Sequence, residues 1–214
     1  MKTSIRRIQE HLGVTADGIM GVQTLRAISR ALGVQEVPSW PSQSRVRQGN
    51  SIFGAPGSED SLVSLIPAYQ LYFEGKPVRS IRVHKLIAAH VKAALEEVLA
   101  HYGFAEIQRL GLDQYGGSYN YRPTQSGKSL SMHAWGIALD FAPRSNAYAV
   151  KSPRASLSHP DCEIWWQIWE RHGAVSLGRL RNYDWMHLQF ASLEYSVIAA
   201  VIGSGSPQTV LSEG

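Results

Sequence analysis

At 214 residues and 44% hydrophobic, the chain has enough apolar material for one sizeable core and a small second one, as in ordinary soluble globular proteins. One cysteine, Cys162, excludes an intramolecular disulfide framework, which leaves the core, and a metal, to hold the fold. The formal charge of +4 is uneven: residues 1–48 hold seven basic residues (Lys2, Arg6, Arg7, Arg26, Arg30, Arg45, Arg47) against Glu10, Asp17 and Glu36, while the remainder is balanced, 14 against 14.

A basic N-terminal portion on a neutral body points to a polyanionic partner, whether nucleic acid, lipid headgroups or a bacterial envelope, and charge alone does not choose among them. Residues 1–13 lack the apolar stretch and cleavage site of a signal peptide. No segment approaches the ~20 apolar residues that span a bilayer, so no stable membrane insertion is expected.

Ile5, Ile8 and Leu12 recur at helical spacing, and Val22, Leu25, Ile28 and Leu32 repeat the pattern, predicting two short amphipathic helices about a Gly-containing turn. Residues 35–60 are rich in Pro and Gly. They mark a boundary, with a helical module at 1–36, a linker at 37–48 and a second domain at 49–214. The apolar periodicity of residues 83–102, followed by Gly103, predicts the longest helix, with His84, His90 and His101 as surface or cap residues. Residues 162–172 predict another helix, burying Trp165, Trp166, Ile168 and Trp169, and Ser192 is a candidate cap for a third reaching residue 202. Short alternating runs at 136–141 and 185–190 read as strands. Helices and strands without βαβ regularity predict an α+β domain with a small, mainly antiparallel sheet.

The stretch Ser131-Met132-His133-Ala134-Trp135-Gly136-Ile137-Ala138-Leu139-Asp140-Phe141 is the most informative. In a strand, Ile137, Leu139 and Phe141 share one face, while Gly136, Ala138 and Asp140 leave free volume beside a carboxylate on the other. His133 sits just ahead. In Asp184-Trp185-Met186-His187-Leu188-Gln189-Phe190, His187 and Gln189 share a face opposite Met186, Leu188 and Phe190. If the strands are neighbours, His187 meets Asp140 and His133. Two imidazoles and a carboxylate are a frequent hydrolytic zinc set, with one position left for water. Asp184 is then placed to take a proton from that water and pass it to a leaving amine. Trp135 and Trp185, inside the two stretches, are candidates to line the cleft. Trp165, Trp166 and Trp169 read as core, and the isolated His159-Pro160-Asp161-Cys162 lacks a closing pair of ligands.

The two stretches together resemble the signature of the VanY-like D-alanyl-D-alanine carboxypeptidases and the related L-alanyl-D-glutamate endopeptidases, zinc enzymes that share a fold with the amino-terminal domain of hedgehog proteins. The resemblance implies one Zn²⁺ on His133, Asp140 and His187, with Asp184 as catalytic acid/base. Aspartate at that position resembles the phage-lysin branch. It further implies an upstream arginine that polarises the substrate carbonyl or holds a substrate carboxylate. Arg122 matches it, with Arg179 and Arg181 as competitors, and Ser131 matches an auxiliary serine that positions substrate. Residues 8–28 resemble a peptidoglycan-binding module with the pattern L-Q-x-x-L, then D-G-x-x-G-x-x-T, implying wall binding through Asp17, Gly18, Gly21 and Thr24.

These readings lead to an expected phage-type endolysin: a monomer made in the cytoplasm of a host bacterium, released through a holin-type pore, acting on peptidoglycan and not on nucleic acid. The expected cut is the L-Ala–D-Glu bond of the stem peptide. A carboxypeptidase trimming terminal D-Ala and a non-catalytic wall-binding or virion structural protein are the competing readings.

Overall fold

The computed structural model describes residues 2–18, 22–33 and 40–193. They fall into two compact units, one drawn mainly from the first 36 residues and one spanning 37–192. No helix among the described residues is long and apolar enough to cross a membrane.

In the first unit, α1 (Lys2–His11) and α2 (Val22–Ala31) are each too short to be stable alone. Gln9 joins them. Its side chain is almost fully buried, with Nε2 donating to Asp17 Oδ1 and to Thr24 Oγ1, both at 2.8 Å, and Oε1 accepting from the Gly18 amide at 2.8 Å. Asp17, Gly18 and Thr24, expected as wall-contacting residues, are thus engaged with Gln9 inside the unit. Gly21 lies outside the described residues.

The second unit begins earlier than the composition of residues 37–48 predicts. Residues Gln43–Arg47 form helix α3, capped by Ser42, whose hydroxyl accepts from the Arg45 amide, and Val46 is fully buried. Apolar burial here outweighs the breaker-rich composition of the segment. Strands β1 (Leu62–Leu65), β2 (Leu71–Phe73), β3 (Lys76–Val78) and β4 (Ile81–His84) follow; β1 pairs with β4 and β2 with β3, all antiparallel. Val83 and His84, expected to open the long helix, lie in β4, where cross-strand pairing with Val63 and Leu62 takes them. Helix α4 (Ala88–Leu110) starts later than expected. Gly103, with φ 67° and ψ 158°, leaves the helical conformation and ends the first helical stretch at the expected stop; a second stretch follows across this kink, and Gly111 supplies its left-handed cap.

The central sheet is antiparallel with strand order β5 (Tyr115–Gly117), β6 (Ala138–Phe141), β8 (His187–Gln189), β7 (Val175–Ser176). The domain is therefore α+β. Helix α5 (Glu163–Arg171) covers one face of the sheet, with the Trp165 and Trp169 rings 5.5 and 5.7 Å from that of Phe141, and short α6 (Leu177–Arg181) leads toward β8. Trp165, Trp166, Ile168 and Trp169 are all buried, as their spacing predicts. The helix expected after Ser192 lies outside the described residues from 194 onward.

Candidate metal centre

The sequence places its chemistry at the junction of a 3₁₀ turn and two paired strands. Residues Met132–Trp135 form the turn. Ser131 caps it by accepting from the His133 amide at 3.4 Å, and Gly136 closes it with φ 67°. A Cβ at Gly136 would fall 2.5 Å from Leu62 Cδ2 and 3.2 Å from the His84 amide nitrogen, so both the conformation and the space require glycine. The turn delivers His133 over the face of β6 that carries Asp140. The β6–β8 register pairs Asp140 directly with His187. One-residue slippage would send His187 to the other side of the sheet, and the buried apolar faces on both strands prevent it.

His133 Nε2, His187 Nδ1 and Asp140 Oδ1 form a nearly equilateral triangle. The sides are 3.2 Å (His133–His187), 3.1 Å (His187–Asp140) and 3.2 Å (His133–Asp140). All three residues are buried, and they are the group among the described residues able to hold a metal ion. The protons of this triangle are fixed from outside. His133 Nδ1 lies 2.6 Å from the Ser118 carbonyl, which can only accept, so Nδ1 carries the proton and Nε2 presents a lone pair. His187 Nε2 faces Gln189 Oε1 at 3.1 Å, and the Gln189 amide is oriented by its own donation to the Ala191 carbonyl at 2.6 Å, so His187 Nδ1 also presents a lone pair. Three acceptors therefore converge with no donor between them. Ligand atoms ~2.0–2.1 Å from a tetrahedral ion stand about 3.3 Å apart, so this triangle fits three of four zinc positions with little adjustment. Backing of each ligating imidazole by an acceptor is the usual support of such a site.

The charges agree. Burial pushes the Asp140 carboxyl toward neutrality, but His133 and His187 outweigh it and hold the group well below the usual carboxylate range. Burial likewise opposes a charged His187, yet the hydrogen bond and charge of Asp140 raise its proton affinity above that of an ordinary imidazole. In the metal-free chain a proton on His187 relieves the repulsion a cation would otherwise relieve.

Asp184 lies just before β8 with φ 53°, a left-handed conformation that Asp tolerates better than most residues. Its amide donates to the Tyr148 carbonyl at 3.0 Å, and its carbonyl accepts from the His187 amide at 3.1 Å. Carboxylate oxygen Oδ1 is buried without a hydrogen-bond partner. Burial first, and Asp140 second, push its pKa up against the opposing pull of His187, His133 and Arg122. An unpaired carboxyl with raised proton affinity, within electrostatic reach of the triangle, is what a proton carrier requires.

Arg122 belongs to a narrow hairpin: its carbonyl accepts from the Ser131 amide at 3.1 Å, and Pro123 bridges Leu130. The hairpin holds Arg122 next to the turn that carries His133, and its charge reaches Asp184. Of the competing arginines, Arg179 is paired with Glu163 and Glu170 on α5, and Arg181 closes α6. Ser131, Trp135 and Trp185, expected as substrate contacts, each make contacts within the unit. Ser131 serves as the cap already described. Trp135 is 3% exposed with its indole N–H on the Gly54 carbonyl, and Trp185 is 8% exposed with its N–H on Asn182 Oδ1. Both indoles pack into the unit, Trp185 against Trp166 and close over Gly178, because flat apolar rings beside strand ends are more stably buried than displayed.

Sequence reasoning missed Ser118, which contributes a carbonyl and so has no side-chain signature, and Gln43, distant in sequence, whose Nε2 donates to Gln189 Oε1 at 2.7 Å. Gln189 was visible as sharing the His187 face, but its orienting role was not.

No curated protein and no solved structure matches the chain. Residues 124–190, which include His133, Asp140, Asp184 and His187 but not Arg122, match the family model described as D-alanyl-D-alanine carboxypeptidase, and over that span the chain is similar to that family.

Proposed function

We propose that the chain is a zinc peptidase that hydrolyses amide bonds in the peptide stems of bacterial peptidoglycan. The observation that carries this reading is the triangle of buried lone pairs on His133, Asp140 and His187, with each imidazole held by a backing acceptor and no donor placed between the three atoms. Zinc held there supplies Lewis acidity that makes water nucleophilic near neutral pH. Asp184 receives the proton as water attacks and returns it to the departing amine. Arg122 offsets charge that develops on the scissile carbonyl oxygen, an interaction strongest in the transition state. The remaining N–H groups of His133 and His187 are committed to Ser118 and Gln189, so neither imidazole serves as the proton carrier.

The finer reading is endopeptidase cleavage between L-Ala and D-Glu by a lytic enzyme of phage type, with the first unit binding the wall. A lysin must sever the mesh, and the aspartate at 184 resembles the lytic branch. Removal of terminal D-Ala is the second reading, favoured by the description of the matched family. Purified peptidoglycan digested with the zinc-loaded protein separates them. New amino-terminal D-Glu supports endopeptidase action, free D-Ala without it moves the reading to the carboxypeptidase, and no new amine of either kind refutes peptidase action on stems.

A further inference from the structure

Residues 40–48 have the composition of a linker and lie outside the span that matches the peptidase family. They nevertheless reach the candidate metal centre. Ser42 bridges Ser192 in parallel, the Gln43 amide donates to the Ser192 carbonyl at 2.9 Å, and the Ser192 amide donates to the Pro41 carbonyl at 3.0 Å. Trp40 packs its ring against Phe53 and Phe190, and Val46 is fully buried. The strap is thus fastened to the chain just beyond β8.

From this strap a polar chain runs to His187. Arg47 Nη1 donates to Gln43 Oε1 at 3.3 Å, Gln43 Nε2 donates to Gln189 Oε1 at 2.7 Å, and Gln189 Oε1 accepts from His187 Nε2 at 3.1 Å. Both ends of the chain admit one polarity. Arginine can only donate, so it turns the Gln43 oxygen toward itself and the Gln43 NH₂ toward Gln189. The Ala191 carbonyl, 2.6 Å from Gln189 Nε2, can only accept, and it selects the same Gln189 orientation from the other side. Arg47 is itself fixed by donation from Nε to the Leu130 carbonyl at 3.1 Å. Were Gln189 reversed, its NH₂ would face His187 Nε2 and favour the tautomer with a proton on Nδ1, which cannot ligate.

We propose that the strap of residues 40–48 positions the metal ligand His187 through the Gln43–Gln189 relay, so that metal affinity depends on a segment far ahead of the site in sequence; the proposal rests on the metal-centre reading above. Gln43 and Gln189 are positioning residues here, acting through His187. Outer partners of ligating histidines typically contribute 10–100-fold to metal affinity. Gln43 acts at one further remove, which places its share near the lower end.

The test measures the zinc dissociation constant of the full-length chain by competition with a chromophoric chelator, alongside thermal melting of the metal-free protein. Gln43→Leu keeps volume and removes the relay; it should weaken zinc binding by roughly tenfold, and Gln189→Leu by more. In a Gln189→Glu background the carboxylate accepts from His187 in either orientation, and the bond to the Ala191 carbonyl is lost with or without Gln43, so Gln43→Leu should there cost little further affinity. Two outcomes overturn the relay: Gln43→Leu binding zinc within about twofold of the parent, or the same loss with and without Gln189→Glu, which would mark general loosening. If the parent chain takes up no zinc, the metal-centre reading itself falls, and that result is distinct from either.

Discussion

Replacing Asp184 by Asn separates the proposed proton carrier from the proposed ligands. Backbone demands at this position are met by either residue, since Asn adopts the left-handed φ of 53° about as readily as Asp, and the bonds to Tyr148 and His187 use only main-chain atoms. The buried Oδ1 has no hydrogen-bond partner to lose. An acid whose pKa is raised on folding binds its proton more tightly in the folded state. Its contribution therefore declines as pH rises from the unfolded value of 3.8 toward the raised folded one, and above that the carboxylate opposes folding. Asn removes this penalty, so the metal-free variant should melt no lower than the parent at pH 7. The chemistry should suffer. A general acid/base contributes about 10²–10⁴-fold, equivalent to about 3–5 kcal/mol of barrier, so turnover of a defined stem peptide should fall by that factor while zinc content per chain stays the same. His133→Ala should instead lose the metal. Equal zinc loss in both variants, or turnover reduced less than about tenfold by Asp184→Asn, would refute the division of roles.

Zinc uptake by the metal-free chain should release protons and weaken as the solution is acidified, because His187, with its raised pKa, must give up the proton that a cation replaces; calorimetry in buffers of different ionisation enthalpy measures this. In the metal-free chain, stability from the Asp140–His187 pair should be greatest between the unfolded values of 3.8 and 6.5. It should decline as pH rises through the folded pKa of His187, which melting curves across pH will show. Gly136→Ala should cost about 1–3 kcal/mol from its left-handed backbone and the contact with Leu62, read as a shifted denaturation midpoint. Deleting residues 1–36 should weaken binding to isolated cell walls and leave cleavage of a small soluble stem peptide nearly unchanged, because the module-like pattern and five of the seven N-terminal basic residues lie ahead of the second unit; a pull-down with sacculi measures the first and a peptide assay the second.

The amino-acid sequence alone determined the parts of the site that depend on local periodicity. Alternation in 136–141 and 185–190 put Asp140 and His187 on the faces opposite their apolar neighbours, whereas Gly136, read as part of the first strand, is the left-handed close of the turn that carries His133, and the strand starts at Ala138. The helix carrying three buried tryptophans was legible for the same reason: period and chemistry agree within one element. Tertiary structure alone decided the features set by competition between distant segments. Pairing with β1 drew Val83 and His84 out of a helical pattern into β4. Burial of Val46 and the clasp on Ser192 turned a breaker-rich stretch into the strap that carries Gln43. Trp135 and Trp185 carry no local mark of exposure, and packing placed both inside the unit. The backing of the triangle comes from the Ser118 carbonyl, an atom every residue possesses, and from Gln43, over 140 positions from the ligand it steadies. A sequence displays side chains and spacings, whereas the orientation of a buried amide or the reach of a carbonyl exists only once the chain has closed on itself.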